Sequence, residues 1–330
     1  MTIYKDYWRG KKVAVLGGTG FIGSHLTHAL VNKGADVTIT TRRKEEQKLS
    51  RVKDLLTCIS VIEADLREPK KCESSLQGQE IVINSAALDG SSKYKKEHSF
   101  EVFHDNVLIS LNIISALRNT DAKHFVQISS AMVYYETALQ SNSTSEDVIV
   151  LPPSGFQYGY SWSKIIAELS SKWLSELSDC KVLIVRPNNI YGPNDVFEPD
   201  RLRLITLLVN VIKSGAVTFK LNSPGNQIVG FLYVDDFVSN LLRIIQLQTR
   251  GFDIVNLGAE RETTLRDLCS IIVPLLNGNT RFEFEADSNP PSKRLIELEK
   301  VKREYGFREN VSLEQGLKYT IENSLRTKDG

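Results

Sequence analysis

The stretch VAVLGGTGFIGSHLTHALVNKG, residues 13–34, constrains the fold more than any other part of the chain. Val13 to Leu16 form a short apolar run of the kind a fully buried strand requires. Apolar residues then recur at helical spacing until Gly34, and Gly17, Gly20 and Gly23 lie at the junction. Without side chains, these positions permit a tight turn, close approach of a ligand to the backbone, and close packing of helix on strand. The N–H groups that open the helix, around Phe21 and Ile22, then point at an anion. A strand, a glycine turn and a helix in this order predict the first unit of a dinucleotide-binding α/β fold. A glycine-rich turn holding no ligand is the alternative.

The same alternation continues along the chain. VTITT from Val37, VIEAD from Val61, IVINSA from Ile81, HFVQISS from His124 and KVLIVRPNNIYG from Lys181 read as further strands. Helical patterns follow Asn106 and run from Ser161 to Leu177. The order predicts a Rossmann-type, doubly wound parallel sheet covered by helices on both faces. Beyond Gly192 the pattern loosens into the helical LRLITLLVNVIKSG, the strand VTFKL and a helix within YVDDFVSNLLRIIQL. Residues 1–185 are therefore expected to form mainly the dinucleotide domain. Residues 186–330 are expected to form mainly a smaller substrate lobe, with some segments returning to the first domain. NSTSEDVIVLPPSG, residues 142–155, reads as a mobile loop.

Charge removes one class of partner. Forty-one Lys and Arg against forty Asp and Glu give +1, which supplies no field for gathering nucleic acid. The basic run Lys93 to Lys96 reads as a solvated face. Cys58, Cys72, Cys180 and Cys269 have neither metal-ligand spacing nor the pattern of a disulfide framework, so reduced thiols and no metal site are expected. The start MTIYKDYWRGKK lacks the apolar core of a signal peptide, and no apolar run is expected to reach membrane-spanning length. A soluble cytoplasmic protein without a membrane partner follows as the expectation.

The end of the second strand bears on which dinucleotide is held. In TITTRRK, Thr41 stands where an acid would accept from the ribose hydroxyls, followed by Arg42 and Arg43. Guanidinium groups welcome a 2′-phosphate that an acid would repel, so NADP is favoured over NAD; an exposed basic turn is the alternative. Asp65, in EADLR, either accepts from the adenine amino group with Leu66 against the ring, or pairs locally. Ala86 and Ala87, after the fourth strand, suit close approach to the nicotinamide ribose and equally suit tight packing.

YSWSK places Tyr160 and Lys164 one helical turn apart on one face. An ammonium near a phenol lowers the cost of ionising it, which makes Tyr160 a proton shuttle. Ser130, at the carboxyl end of the fifth strand, is placed to hydrogen-bond the same substrate oxygen. The three suit hydride transfer coupled to a proton on oxygen. A core tyrosine beside a solvent lysine is the alternative.

With GGTGFIG, SSAMVY, YSWSK, RPNNIYGP, FLYVDD and KREYGF, the chain resembles, over nearly its whole length, the extended short-chain dehydrogenase/reductases that act as nucleotide-sugar epimerases, dehydratases and reductases. The resemblance implies that Ser130, Tyr160 and Lys164 are catalytic and that Asn106 is structural. It implies substrate contacts at Leu88, Ser130, Ala131, Asn189 and Arg294, with a turn-forming role as the alternative for Asn189. The dehydratases carry Asp and Glu where this chain has Ala131 and Met132, which argues against 4,6-dehydration. GDP-fucose-synthase-like enzymes carry a cysteine at Ala131 and a histidine beyond the catalytic helix, where this chain has none, which argues against 3,5-epimerisation. Two arginines that hold the substrate diphosphate in many members are replaced by Val229 and Ser288; Arg201 and Arg203 either substitute for them or face solvent.

The expected activity is NADPH-dependent reduction of a 4-keto nucleoside-diphosphate sugar by a homodimer. The alternatives are a C4 epimerase with tightly bound NAD(P), reduction of a different ketone, and a non-catalytic NADP-binding protein.

Overall fold

A computed structural model describes residues 6–134, 144–146, 158–195, 201–286 and 293–326. Of the loop expected at 142–155, all but 144–146 lies outside these residues. The core is one seven-stranded sheet built from β1 (Lys12–Leu16), β2 (Asp36–Thr41), β3 (Ile59–Glu63), β4 (Ile81–Asn84), β5 (His124–Ile128), β6 (Lys181–Pro187) and β7 (Phe252–Leu257). Its order is β7-β6-β5-β4-β1-β2-β3, and every pairing is parallel. Strand order reverses at β1, so β1 and β4 diverge at their ends into the crevice where such sheets bind ligands.

Alternation along β1 fixes the two layers. Val13 and Val15 pack toward helix α1 (Phe21–Asn32), whereas Ala14 and Leu16 pack toward helix α2 (Ser99–Leu117). Helix α3 (Tyr158–Leu177) lies with α2, and helix α4 (Val234–Leu247) lies with α1. Burial of the sheet on both faces explains why its strands are continuous apolar runs.

Three elements differ from the sequence reading. Strand β3 begins at Ile59 because Ile59 and Ser60 already pair with Val37 and Thr38, and the polar serine had masked that start. Helix α2 begins at Ser99, ahead of Asn106, its first turns being rich in polar residues. By length and apolar content it is a helix able to cross a membrane, which the sequence reading did not anticipate; here its Val102–Asn106–Ser110–Ile113 face is packed into the protein.

The third difference is β7, which sequence reading missed because Asp253 and Asn256 interrupt its apolar pattern. Both are buried and satisfied: Asp253 accepts from Lys300 Nζ at 2.6 Å and from the Tyr305 hydroxyl, and Asn256 accepts from Tyr134 at 2.6 Å. Apart from β7, the second half of the chain builds a separate core from helices Leu204–Lys213, Leu265–Leu275 and Leu313–Arg326 with short strands.

Candidate active site

A cleft of about 1070 Å³ runs over the carboxyl ends of β1, β2, β4, β5 and β6. That exceeds the roughly 300–1,000 Å³ of a typical small-ligand pocket, which leaves room for two ligands end to end. Its floor is the glycine turn. Gly17 sits at φ +73°, and a Cβ there would lie 2.9 Å from Ala86 Cα; a Cβ on Gly23 would lie 2.2 Å from the Gly17 carbonyl oxygen. Side chains at either position would push β1, β4 and α1 apart. Helix α1 has no side-chain cap at Gly20, so its first N–H groups are left for an anion over the turn. Phe21 and Ile22 line the cleft beside it. This cradle fits a dinucleotide pyrophosphate.

At the β2 end, Thr41 is buried and donates to the Arg43 carbonyl at 2.9 Å, while Arg42 and Arg43 project exposed into the cleft rim. Lys48 and Arg51 line the same end, and Arg51 Nη1 reaches the Thr19 carbonyl at 3.2 Å. Sequence reading passed over these two. Their signal was a pair of cations one turn apart just after the Arg42-Arg43 run.

Asp65 lines the cleft but is clasped by Arg67, with Nη2–Oδ2 at 2.5 Å, and Arg67 also holds Asp105 at 2.8 Å. That hydrogen bond keeps the Asp65 carboxyl below its ordinary range. Local pairing, the open alternative, is what the structure contains. Leu66 is buried in the core with Cys72 and Phe125. Ala86 meets the glycine turn, and Ala87 is exposed in the cleft wall.

Ser130, Tyr160 and Lys164 converge in the cleft wall. Ser130 ends β5 and caps the short turn Ala131–Val133, accepting from Met132 N at 3.1 Å. Its hydroxyl faces the Tyr160 phenol and eases its ionisation. Lys164 Nζ donates to the Ile128 carbonyl at 2.9 Å and lies 5.6 Å from the centre of the Tyr160 ring.

In the protein alone, burial dominates the electrostatics of the phenol. Burial pushes the Tyr160 phenol well above its ordinary value and Asp89 pushes it further, while Ser130 and Arg203 pull the other way. Burial lowers the Lys164 ammonium itself to about 8, a fall that Asp89 and Glu168 partly oppose.

Two further groups face the phenol. Lys95 donates to Asp89 at 3.0 Å, and its ammonium lies 4.5 Å over the Tyr160 ring. Lys95 belongs to the run read as a solvated face, yet its side chain is only 11% exposed, against 81% for Lys93. The one hint in the sequence was Asp89, six residues upstream. Arg203 donates to Asp195 at 2.5 Å and stacks on Phe21 at 4.9 Å, so it joins the glycine turn to the substrate end.

Of the expected substrate contacts, the backbone of Leu88 is gripped by Asn106, which accepts from Leu88 N at 2.7 Å and donates to Leu88 O at 3.0 Å. Ala131 lines the cleft, nearly buried. Asn189 also lines it, but in the left-handed region at φ 40°, donating to the Gly230 carbonyl at 3.1 Å, so it forms the turn as well. Val229 lines the cleft and pairs with the backbone of Arg294; the Arg294 side chain and Ser288 lie outside the described residues.

A parallel sheet with its glycine cradle at the point of strand reversal, and a serine, tyrosine and lysine meeting at the strand ends, define an NAD(P)-dependent enzyme of the extended short-chain dehydrogenase/reductase type. The chain belongs to the NAD dependent epimerase/dehydratase family, whose model matches residues 13–258. It is 27% identical over 328 residues, covering 96% of each chain, to dTDP-4-dehydro-6-deoxy-D-allose reductase of Streptomyces bikiniensis. It is 24% identical to GDP-mannose 3,5-epimerase of Arabidopsis thaliana, covering 96% of this chain and 83% of that one. Among solved structures, UDP-glucuronic acid 4-epimerase from Bacillus cereus, in complex with UDP-glucuronic acid and NAD, superposes with a TM-score of 0.82 at 20% identity, covering 96% and 99%.

Proposed function

We propose that the protein is an NADPH-dependent reductase of a 4-keto nucleoside-diphosphate sugar. The observation that carries the reading is the meeting of Ser130, Tyr160 and Lys164 in the same cleft as the Gly17–Ala86 cradle. When bound, the nicotinamide dinucleotide supplies the hydride. Ser130 donates to the carbonyl oxygen and orients it. Tyr160 delivers its proton to that oxygen as the carbon is reduced, which balances the charge of the new alkoxide. Lys164 holds the nicotinamide ribose.

Net reduction is supported over dehydration by Ala131 and Met132, neither of which can carry a proton. The similarity to a 4-dehydro sugar reductase points the same way. NADPH is supported by Arg42, Arg43, Lys48 and Arg51 around the end of β2. Arg201, stacked on Tyr94 at 4.9 Å, and Arg203 line the substrate end and take over the diphosphate role that Val229 cannot perform. Residues 1–185 serve mainly the dinucleotide and 186–330 mainly the substrate, β7 being a segment that returns to the sheet. We place the protein in the cytoplasm.

A panel of 4-keto nucleotide sugars with NADPH or NADH tests the reading, following cofactor absorbance and sugar products together. Stoichiometric NADPH loss with a reduced sugar is expected. Isomer formation without net cofactor oxidation selects the epimerase, turnover of a nucleotide-free ketone alone removes the sugar assignment, and cofactor binding without any turnover selects the binding protein.

A further inference from the structure

Two ammonium groups lie against the Tyr160 ring, and the nearer one is not on its own helix. Lys95 Nζ is 4.5 Å from the ring centre and Lys164 Nζ is 5.6 Å away. Lys95 is fixed there from behind. It stands on the short helix Ser92–Glu97, which Ser91 caps by accepting from Tyr94 N at 3.0 Å, and Asp89 anchors its ammonium at 3.0 Å. Asp89 directly follows Leu88, the residue whose backbone Asn106 grips on both sides. A lysine that served only solubility would extend outward, as Lys93 does at 81% exposure.

A cation over an aromatic face is attracted by the electron density of the ring. Ionising the phenol raises that density, so Lys95 stabilises phenolate over phenol, and Asp89 acts in the opposite sense. We propose that Lys95, anchored by Asp89, is a positioning residue for the Tyr160 proton, with the pair setting how readily the phenol gives it up. This rests on the reading of Tyr160 as the proton donor. The charged and titratable groups facing the phenol are Lys164 from its own helix, Asp89 and Lys95 from the segment after β4, and Arg203, itself paired with Asp195, from the chain before Leu204; the Ser130 hydroxyl faces it from the end of β5. Of the three cations, Lys95 is the one over the ring that has no backbone carbonyl or ribose to serve.

The test is ultraviolet titration of the phenolate in NADP-saturated protein, taken as the difference between each protein and the same protein carrying Tyr160→Phe. Lys95→Met is expected to raise the Tyr160 midpoint by about one unit or more, the usual effect of losing an opposite charge at this range. Lys95→Arg should stay near wild type, and the double variant Lys95→Met/Asp89→Asn should return toward it. A Lys95→Met midpoint equal to wild type overturns the proposal, as does a double variant displaced as far as Lys95→Met alone. The titration needs no substrate. A wild type that reduces no keto sugar overturns the reductase reading, while a displaced midpoint still supports the role of Lys95.

Discussion

Arg186 and Glu168 form a two-point ion pair beneath the candidate site, Nε to Oε1 at 3.0 Å and Nη2 to Oε2 at 2.8 Å, with side chains only 4% and 8% exposed. Glu168 stands one turn beyond Lys164 on α3, and Arg186 stands on β6. Ser129 donates to Glu168 at 2.5 Å, and Arg186 donates to the Tyr134 hydroxyl at 3.0 Å, which in turn donates to Asn256 on β7. Helix α3 is thereby bolted to three adjacent strands. Removing one partner leaves a buried charge uncompensated, so Glu168→Ala should cost about 3–5 kcal/mol in urea unfolding. The double variant Glu168→Ala/Arg186→Leu should cost less than that single change. A single-variant loss below about 1 kcal/mol, typical of an exposed pair, would contradict the bolt.

Arg42 tests cofactor choice. Arg42→Ala should weaken NADPH binding by roughly tenfold or more, the equivalent of one lost hydrogen bond to a charged group, and leave NADH nearly unchanged. Isothermal titration with both cofactors measures it. Equal effects on the two would remove the 2′-phosphate from the account.

His124 predicts an acid sensitivity. Burial lowers its imidazole to about 4 from the ordinary 6.5, a fall that the hydrogen bond with Gln248 at 2.7 Å only partly opposes. Below pH 6.5 the unfolded chain takes up a proton that the folded protein refuses until about pH 4. Stability from this group is therefore complete above that window and falls across it as pH drops, by roughly 3 kcal/mol. His124→Gln should flatten the pH dependence of unfolding over the window. Parallel curves for variant and wild type would count against it.

The outer face of α3 carries Leu169, Trp173 and Leu177 at one-turn spacing, exposed by 50%, 58% and 67%. Beside it, Phe100 and Leu111 of α2 are exposed by 72% and 42%. Exposed apolar residues on two packed helices are the kind of surface that a symmetric dimer would cover. Trp173→Glu should convert dimer to monomer in sedimentation equilibrium. A wild type already monomeric at high concentration would refute the homodimer.

The parts of this fold that were legible in the sequence are those where one local rule decides. The apolar run Val13–Leu16 and glycines that cannot bear a Cβ specify the cradle without help from distant residues. Strand β7 was not legible, because Asp253 and Asn256 become acceptable in a buried strand only through Lys300, Tyr305 and Tyr134, all remote in sequence. The same holds at the site. Tyr160 and Lys164 share a helical period, whereas Lys95 reads as one cation among three until the chain fold turns it inward onto Asp89. What dominates Tyr160 was hard to read for a related reason: spacing reports which groups are neighbours, but the burial that weighs most on the phenol is set by the whole cleft.

The central claim is that Tyr160 passes a proton to the substrate oxygen during hydride transfer. Single-turnover oxidation of NADPH by a 4-keto nucleotide sugar, compared between wild type and Tyr160→Phe, tests it most directly. The account predicts retained cofactor affinity and a rate lower by about 10²–10⁴, the usual contribution of a positioned acid. An unchanged rate in the phenylalanine variant would contradict it.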